Sequence, residues 1–219
     1  MGIHADHPEG PHLGVHVIAC ARDPHRLGLW GSLRLEDGIM KNKPNITISE
    51  DFVSDQHDLF RALVESIDWD QRMQARKTAS FGVPYDYSGM TYEATPFPPW
   101  LEALATQVAD QVGWQPNNGL LNYYPQRRSS MGMHADDVER LAPDTGIAIV
   151  SLGAPRMMVF ERNDDSYMWG RDLPPGSLLV MDLDTQRTWR HAIPPRPLGP
   201  RISITLRQVR SDAAVDEAV

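Results

Sequence analysis

The chain has a single cysteine, Cys20, in 219 residues. One thiol forms no internal disulfide and supplies no cysteine-based metal cage, which makes a reducing, cytoplasmic setting the expectation. The chain also lacks any apolar run near the ~20 residues needed to span a bilayer, and its first residues lack the basic-then-apolar layout of a secretory signal. No membrane association is expected. A basic balance is missing too: 21 Lys and Arg stand against 29 Asp and Glu, a formal net charge of −8. That argues against binding nucleic acid through a broad basic surface. With 41% hydrophobic and 23% charged residues, bulk composition is that of an ordinary globular domain and carries no functional signal of its own.

The charge is unevenly spread. Residues 40–210 carry 18 Lys and Arg and 21 Asp and Glu, and from Arg127 to Arg210 there are twelve arginines and no lysine. Arginine is favoured where carboxylate or phosphate is captured by two parallel hydrogen bonds, so this half is a candidate for a local anion-binding surface. Ordinary solvated arginines account for most of the twelve. Residues 1–39 hold five irregularly spaced histidines (His4, His7, His12, His16, His25) with little hydrophobic periodicity. This stretch reads as a loose extension outside the fold, and Met40 would make a plausible native start. Residues 40–219 read as a single domain, and a monomer is expected.

Leu59, Phe60, Leu63, Val64 and Ile67 recur at helical spacing, with Ser54 or Asp55 placed to cap. A second helix is predicted after Pro98-Pro99, with Trp100, Leu101, Leu104, Val108 and Val112 on one face and Gly113 near its end. After Gly119 the texture changes to short runs separated by Gly, Pro and Asp. Strands are predicted at 120–124, 131–135, 147–152, 157–161, 177–182, 188–193 and 201–209. The expected fold class is mainly β with flanking helices, an α+β arrangement around a jelly-roll core.

One constellation carries chemistry. His134 and Asp136 lie two apart in a predicted strand, the spacing that puts both side chains on one face, and His191 lies in a later one. Two histidines and one carboxylate make the facial triad that holds non-haem Fe(II) with open positions. In the last strand Arg201, Ser203, Thr205 and Arg207 share one face, while Ile202, Ile204 and Leu206 share the other. Two readings compete for that polar face: an exposed sheet surface, or two arginines aimed at an anionic cosubstrate. Asn122 and Tyr124 form a second same-face pair, read either as donors to an oxo-acid or as a satisfied buried amide and a core-edge tyrosine.

Taken in order, Arg76 to Gly89 (RKTASFGVPYDYSG), Asn122-Tyr123-Tyr124, His134-Ala135-Asp136-Asp137, Ile149 to Gly153, Trp189-Arg190-His191 and Arg201 to Arg207 resemble the AlkB-like family of Fe(II)/2-oxoglutarate dioxygenases over residues 45–210. The resemblance implies a double-stranded β-helix. It implies Fe(II) on His134, Asp136 and His191, with O2 as the other cosubstrate. It implies 2-oxoglutarate on Asn122, Tyr124, Arg201, Ser203 and Arg207, with Arg201 on the distal carboxylate and Arg207 near the metal-proximal end. The implied reaction yields succinate and CO2 and hydroxylates a nearby C–H bond; when that carbon is an N-methyl group, formaldehyde is lost. The implied partner is alkylated DNA or RNA, with the target base flipped out of its stack.

In that reading Phe81 to Tyr87 resembles a substrate lid, in which Tyr85 and Tyr87 either stack on the base or anchor the loop, and Arg76 joins Phe81 and these tyrosines as candidates for substrate contact. Asp137 and Glu139 are the acidic candidates for substrate contact. Val138 stands where repair-type members usually carry an acidic residue, which keeps a second expectation open: a hydroxylase of a small molecule or protein side chain. A non-catalytic binding module is disfavoured by the presence of all three candidate ligands and both arginines.

Overall fold

The computed structural model describes residues 15–18, 43–85, 92–164 and 166–210. Cys20, the five early histidines other than the backbone of His16, Met40 and Tyr87 lie outside the described residues or their described side chains. The chain runs through β1 (Val15–Ile18), β2 (Ile46–Ser49), α1 (Gln56–Ser66), β3 (Lys77–Gly82), α2 (Pro99–Val112) and β4 (Asn118–Tyr124). It continues through β5 (Met131–His134), β6 (Gly146–Gly153), β7 (Arg156–Arg162) and β8 (Met168–Leu173). The last elements are β9 (Leu178–Asp182), α3 (Leu183–Thr188), β10 (Trp189–Ile193) and β11 (Arg201–Arg207).

Two antiparallel sheets result. The larger has the order β2-β9-β6-β11-β4-β3 and the smaller β1-β8-β7-β10-β5. Tyr124, Ile147, Ile149 and Leu179 of the larger sheet pack with Met158, Phe160, Trp169 and Ile193 of the smaller to fill the space between them. This is the expected jelly roll, and its interior is where the polar residues of interest point.

The larger sheet is buried on both faces, which explains why β6 and β11 read as nearly continuous buried runs rather than half-exposed ones. Its outer face presents Ala148, Val150, Leu152, Ile202, Ile204 and Leu206 to Leu63 of α1 and to Leu101, Leu104 and Val108 of α2. Leu101 is fully buried there, so its truncation to Ala would cost about 2–5 kcal/mol. α2 starts with Pro99, whose missing N–H costs nothing at a helix start, and ends on Gly113 at φ +78°. The Gly113 N–H donates to Ala109 O at 2.8 Å, closing the helix as its sequence predicts.

Several elements differ from expectation. Lys77–Gly82 is a strand at the edge of the larger sheet, although its mix of Lys, Thr, Ala and Ser shows little β periodicity. Met168–Leu173 is a strand despite Gly170 and two charges, because Arg171 pairs with Glu50 and Asp172 with Arg196 outside the core. α1 begins at Asp55, yet no side chain caps it; the Leu59 N–H donates to the Asp55 carbonyl instead. Four residues of the stretch expected to be loose, Val15–Ile18, pair with β8.

Candidate active site

The polar face of β11 is buried, which decides between its two readings. All seven residues of the strand are shielded from solvent. With Ile202, Ile204 and Leu206 packed toward the helices, alternation turns Arg201, Ser203, Thr205 and Arg207 into the space between the sheets. Flanking strands supply the neighbours: Arg201 lies opposite Tyr124 and Ser203 opposite Asn122 on β4, with Ser203 opposite Ser151 on β6.

At the C-terminal end of β11 lies a narrow cavity lined by His134, Asp136, His191, Asn122, Thr205 and Arg207. His134 and His191 are direct cross-strand partners on β5 and β10, with ring centroids 4.3 Å apart. β5 stops at His134, so Asp136 is not held by strand pairing as predicted. Gln186 of α3 holds it instead: the Asp136 N–H donates to Gln186 Oε1 at 2.9 Å. Sequence reasoning passed over Gln186, since nothing in a six-residue helix marks a single buried amide.

Arg207 Nη2 donates to Asp136 Oδ1 at 2.7 Å, and Nη1 donates to Asn118 Oδ1 at 3.3 Å. Burial pushes the Asp136 carboxyl up, but Arg207 and the two imidazoles outweigh it and hold the carboxyl below its ordinary value. Burial first, then the neighbouring His134 and Arg207, pushes His191 down to about 3 despite the opposing Asp136 charge. Burial likewise lowers His134. The Nδ1 of His134 faces Gly132 O at 2.9 Å, which assigns the proton to Nδ1 and leaves Nε2 as a lone-pair donor.

Two neutral imidazoles beside an ionised carboxylate are the protonation states that a facial Fe(II) site requires. The donor chemistry therefore fits a divalent cation, and the three side chains line one cavity. Among the described residues, no three His, Cys, Asp or Glu side chains stand close enough together to hold a metal ion without some adjustment, so the fit rests on donor type, protonation and a shared cavity.

The other end of the strand has a different character. Arg201 is fully buried, and its Nη2 donates to Ser151 Oγ at 3.0 Å. Its Nε and Nη1 meet no hydrogen-bond partner. Burial, with a smaller opposing pull from Tyr124, lowers it to about 10, so it stays charged at neutral pH. The Tyr124 ring lies 5.4 Å from its guanidinium carbon, the tyrosine helps to hold that charge, and its hydroxyl donates to Met131 Sδ at 3.7 Å. Asn122 is buried with its Oδ1 accepting from Arg76 Nε at 2.6 Å, which orients the amide so that Nδ2 is its donor. A buried guanidinium with orphaned N–H groups, a tyrosine hydroxyl and an amide donor suit a small dicarboxylate.

The residues expected at the substrate are dispersed. Phe81 is not in the interior; strand alternation sends it with Ala79 to the helix side, where it meets Trp100 edge-on at 6.4 Å. Tyr85 is buried, its hydroxyl donating to Asp137 O at 3.1 Å and its ring 4.5 Å from the Arg207 guanidinium carbon. It roofs the ion pair rather than offering an open face. Asp137 and Glu139 are exposed, and Asp137 Oδ1 accepts from Glu139 N at 3.0 Å. Besides Tyr85, Arg76 reaches the interior, through Asn122.

Comparison with known proteins agrees with this geometry. The 2OG-Fe(II) oxygenase superfamily matches residues 52–207. The DNA oxidative demethylase ALKBH2 of Mus musculus is 35% identical over 147 residues, covering 61% of this chain and 62% of that protein. The alpha-ketoglutarate-dependent dioxygenase alkB homolog 3 of Bos taurus is 32% identical over 176 residues, covering 70% of this chain and 62% of that protein. The chain thus spans about three fifths of the length of these curated relatives. A solved structure titled "The structure of OsALKBH1" superposes with a TM-score of 0.57 at 15% identity, over 76% of this chain and 99% of that one, a likeness of fold. The chain belongs to the 2OG-Fe(II) oxygenase superfamily, as an AlkB-like member.

Proposed function

We propose that this protein is an Fe(II)- and 2-oxoglutarate-dependent dioxygenase that oxidatively demethylates N-alkylated bases in DNA or RNA. The observation that carries the reading is the buried interior face of β11 and its neighbours: Asp136, Arg207 and Asn122 line the cavity that holds His134 and His191, and Arg201 with Tyr124 lies buried further along the same strand face. His134, Asp136 and His191 would hold Fe(II), which when bound couples O2 reduction to decarboxylation of 2-oxoglutarate, giving succinate, CO2 and a hydroxylated substrate carbon. Arg207 keeps Asp136 ionised, and burial keeps His191 neutral, so all three donors are ready at neutral pH. Arg201, Tyr124 and Asn122 would take the cosubstrate, with Arg201 on its distal carboxylate. Tyr85 closes the space over Arg207 and helps keep water from the ion pair. A hydroxylated N-methyl group releases formaldehyde, restoring the base.

Relatives named for DNA demethylation support the substrate class. The test is direct: a 1-methyladenine or 3-methylcytosine oligonucleotide with Fe(II) and 2-oxoglutarate should yield formaldehyde and restored base. Absence of turnover on single- and double-stranded DNA and RNA overturns the substrate assignment. A second reading, hydroxylation of a small molecule or protein side chain, is favoured by the exposed Asp137 and Glu139 and by Val138 between them. Succinate release stimulated by a metabolite or peptide, and not by methylated oligonucleotides, would select it.

A further inference from the structure

Arg156, like Arg201, is fully shielded from solvent, and neither the sequence motifs nor the cosubstrate reading above uses it. It opens β7, where it shares a face with Met158 and Phe160, both packed between the two sheets. Its guanidinium therefore enters the same interior as Arg201, from the opposite sheet. The polar contacts it makes there are poor. Nη2 reaches Gln126 O at 3.4 Å, while Nε and Nη1 meet no partner. The same two nitrogens of Arg201 are also orphaned.

Both cations face Tyr124, and the Arg156 charge reaches Arg201. Arg201 is disfavoured by burial and by the Arg156 charge, and Arg156 by burial and by Arg196, while Tyr124 favours both. Among the described residues neither guanidinium has a carboxylate partner. Two buried cations placed together without an anion are costly unless a ligand supplies the charge. A carboxylate does so well: its two oxygens offer about four acceptor sites, enough for a fork from each arginine and the Tyr124 hydroxyl.

We propose that Arg156 is a second binding residue for the distal carboxylate of 2-oxoglutarate, forming with Arg201 a two-guanidinium clamp that spans the two sheets. The inference rests on the cosubstrate reading but adds a residue from the smaller sheet to it. The clamp makes cosubstrate binding a tie between the sheets, and it makes dicarboxylate selectivity depend on both arginines.

The test compares 2-oxoglutarate with 2-oxovalerate, which keeps the 2-oxo acid end and lacks the distal carboxylate. Binding is read without turnover, by ligand-induced thermal shift and tryptophan fluorescence of the anaerobic Mn(II) form. Arg156→Met should weaken 2-oxoglutarate about 30-fold or more, the loss expected when one member of a buried charged contact is removed, and leave 2-oxovalerate within about threefold. With no ligand present the variant should melt no lower than the parent, since an unpaired buried cation has gone. Arg156→Lys, which keeps the charge without the fork, should fall between and carries the test if the Met variant does not fold. Equal loss of both oxo acids, or unchanged 2-oxoglutarate binding, overturns the role of Arg156 alone. A parent protein that does not prefer 2-oxoglutarate to 2-oxovalerate overturns the cosubstrate reading itself, and the clamp with it.

Discussion

Arg201 and Arg207 stand at opposite ends of one strand, on the same face and equally deep, yet their surroundings are opposites. Arg207 is complete: it has Asp136 at 2.7 Å, Asn118 behind it and Tyr85 over it. Arg201 has one serine hydroxyl and two nitrogens with nothing to bind. The first arrangement serves the protein's own carboxylate and belongs to the folded state by itself. The second leaves donors over for an anion, the role proposed for it above. Burial is common to both; what differs is the internal partner, a carboxylate at Arg207 and a single hydroxyl at Arg201.

Removing the anion at the complete end gives the largest effect. Asp136→Ala should abolish metal-dependent turnover and also destabilise the protein by about 3–5 kcal/mol, because Arg207 is left as a buried charge without its partner. Denaturant titration alongside Mn(II) binding reads both losses. A double variant, Asp136→Ala with Arg207→Met, should regain much of the stability and none of the metal affinity. Equal instability of single and double variants would contradict the ion-pair account.

At the incomplete end the pattern should invert. Arg201→Met is expected to leave thermal stability unchanged or slightly raised while weakening 2-oxoglutarate by about 2–5 kcal/mol, roughly 30-fold or more. A variant that melts early and binds the cosubstrate normally would erase the distinction between the two arginines.

Two smaller changes sharpen the picture at the Asp136 end. Gln186→Leu leaves the buried Asp136 N–H without its acceptor, a loss of about 1–3 kcal/mol. Metal affinity should fall by roughly tenfold or more, as for other groups that orient a ligand. Cosubstrate affinity, measured with metal saturating, should not move. Tyr85→Phe keeps the ring over Arg207 and removes only the hydrogen bond to Asp137 O, so about 0.5–1.5 kcal/mol is expected. An effect on 2-oxoglutarate binding as large as that of Arg201→Met would show that the two ends are not independent.

The interior face of β11 was legible because strict alternation over seven residues is a strong signal, and the two helices were legible from periodicity and proline-glycine punctuation. What escaped was set by register and tertiary pairing. A strand predicted to begin at Met157 left Arg156 just outside it, and one predicted to begin at Leu120 left out Asn118, the second acceptor for Arg207. β3 carries little alternation in polarity, so it gives no strand signal; its place comes from hydrogen bonding to β4, which no local pattern announces. The same register explains Phe81, since a one-residue difference decides which side of a sheet an aromatic faces. Gln186 depends on a helix too short to leave a periodic trace.

One consequence follows from β1. On one side the smaller sheet ends at β1, whose Val15–Ile18 supply four antiparallel partners to β8, from Val15 opposite Arg171 to Ile18 opposite Met168. A chain starting at Met40 would present the backbone donors and acceptors of β8 as an open edge, a template for pairing with another molecule. Removing this four-residue edge strand should therefore expose the longer β8 edge, an outcome expected to show first in light scattering, before any change in catalysis.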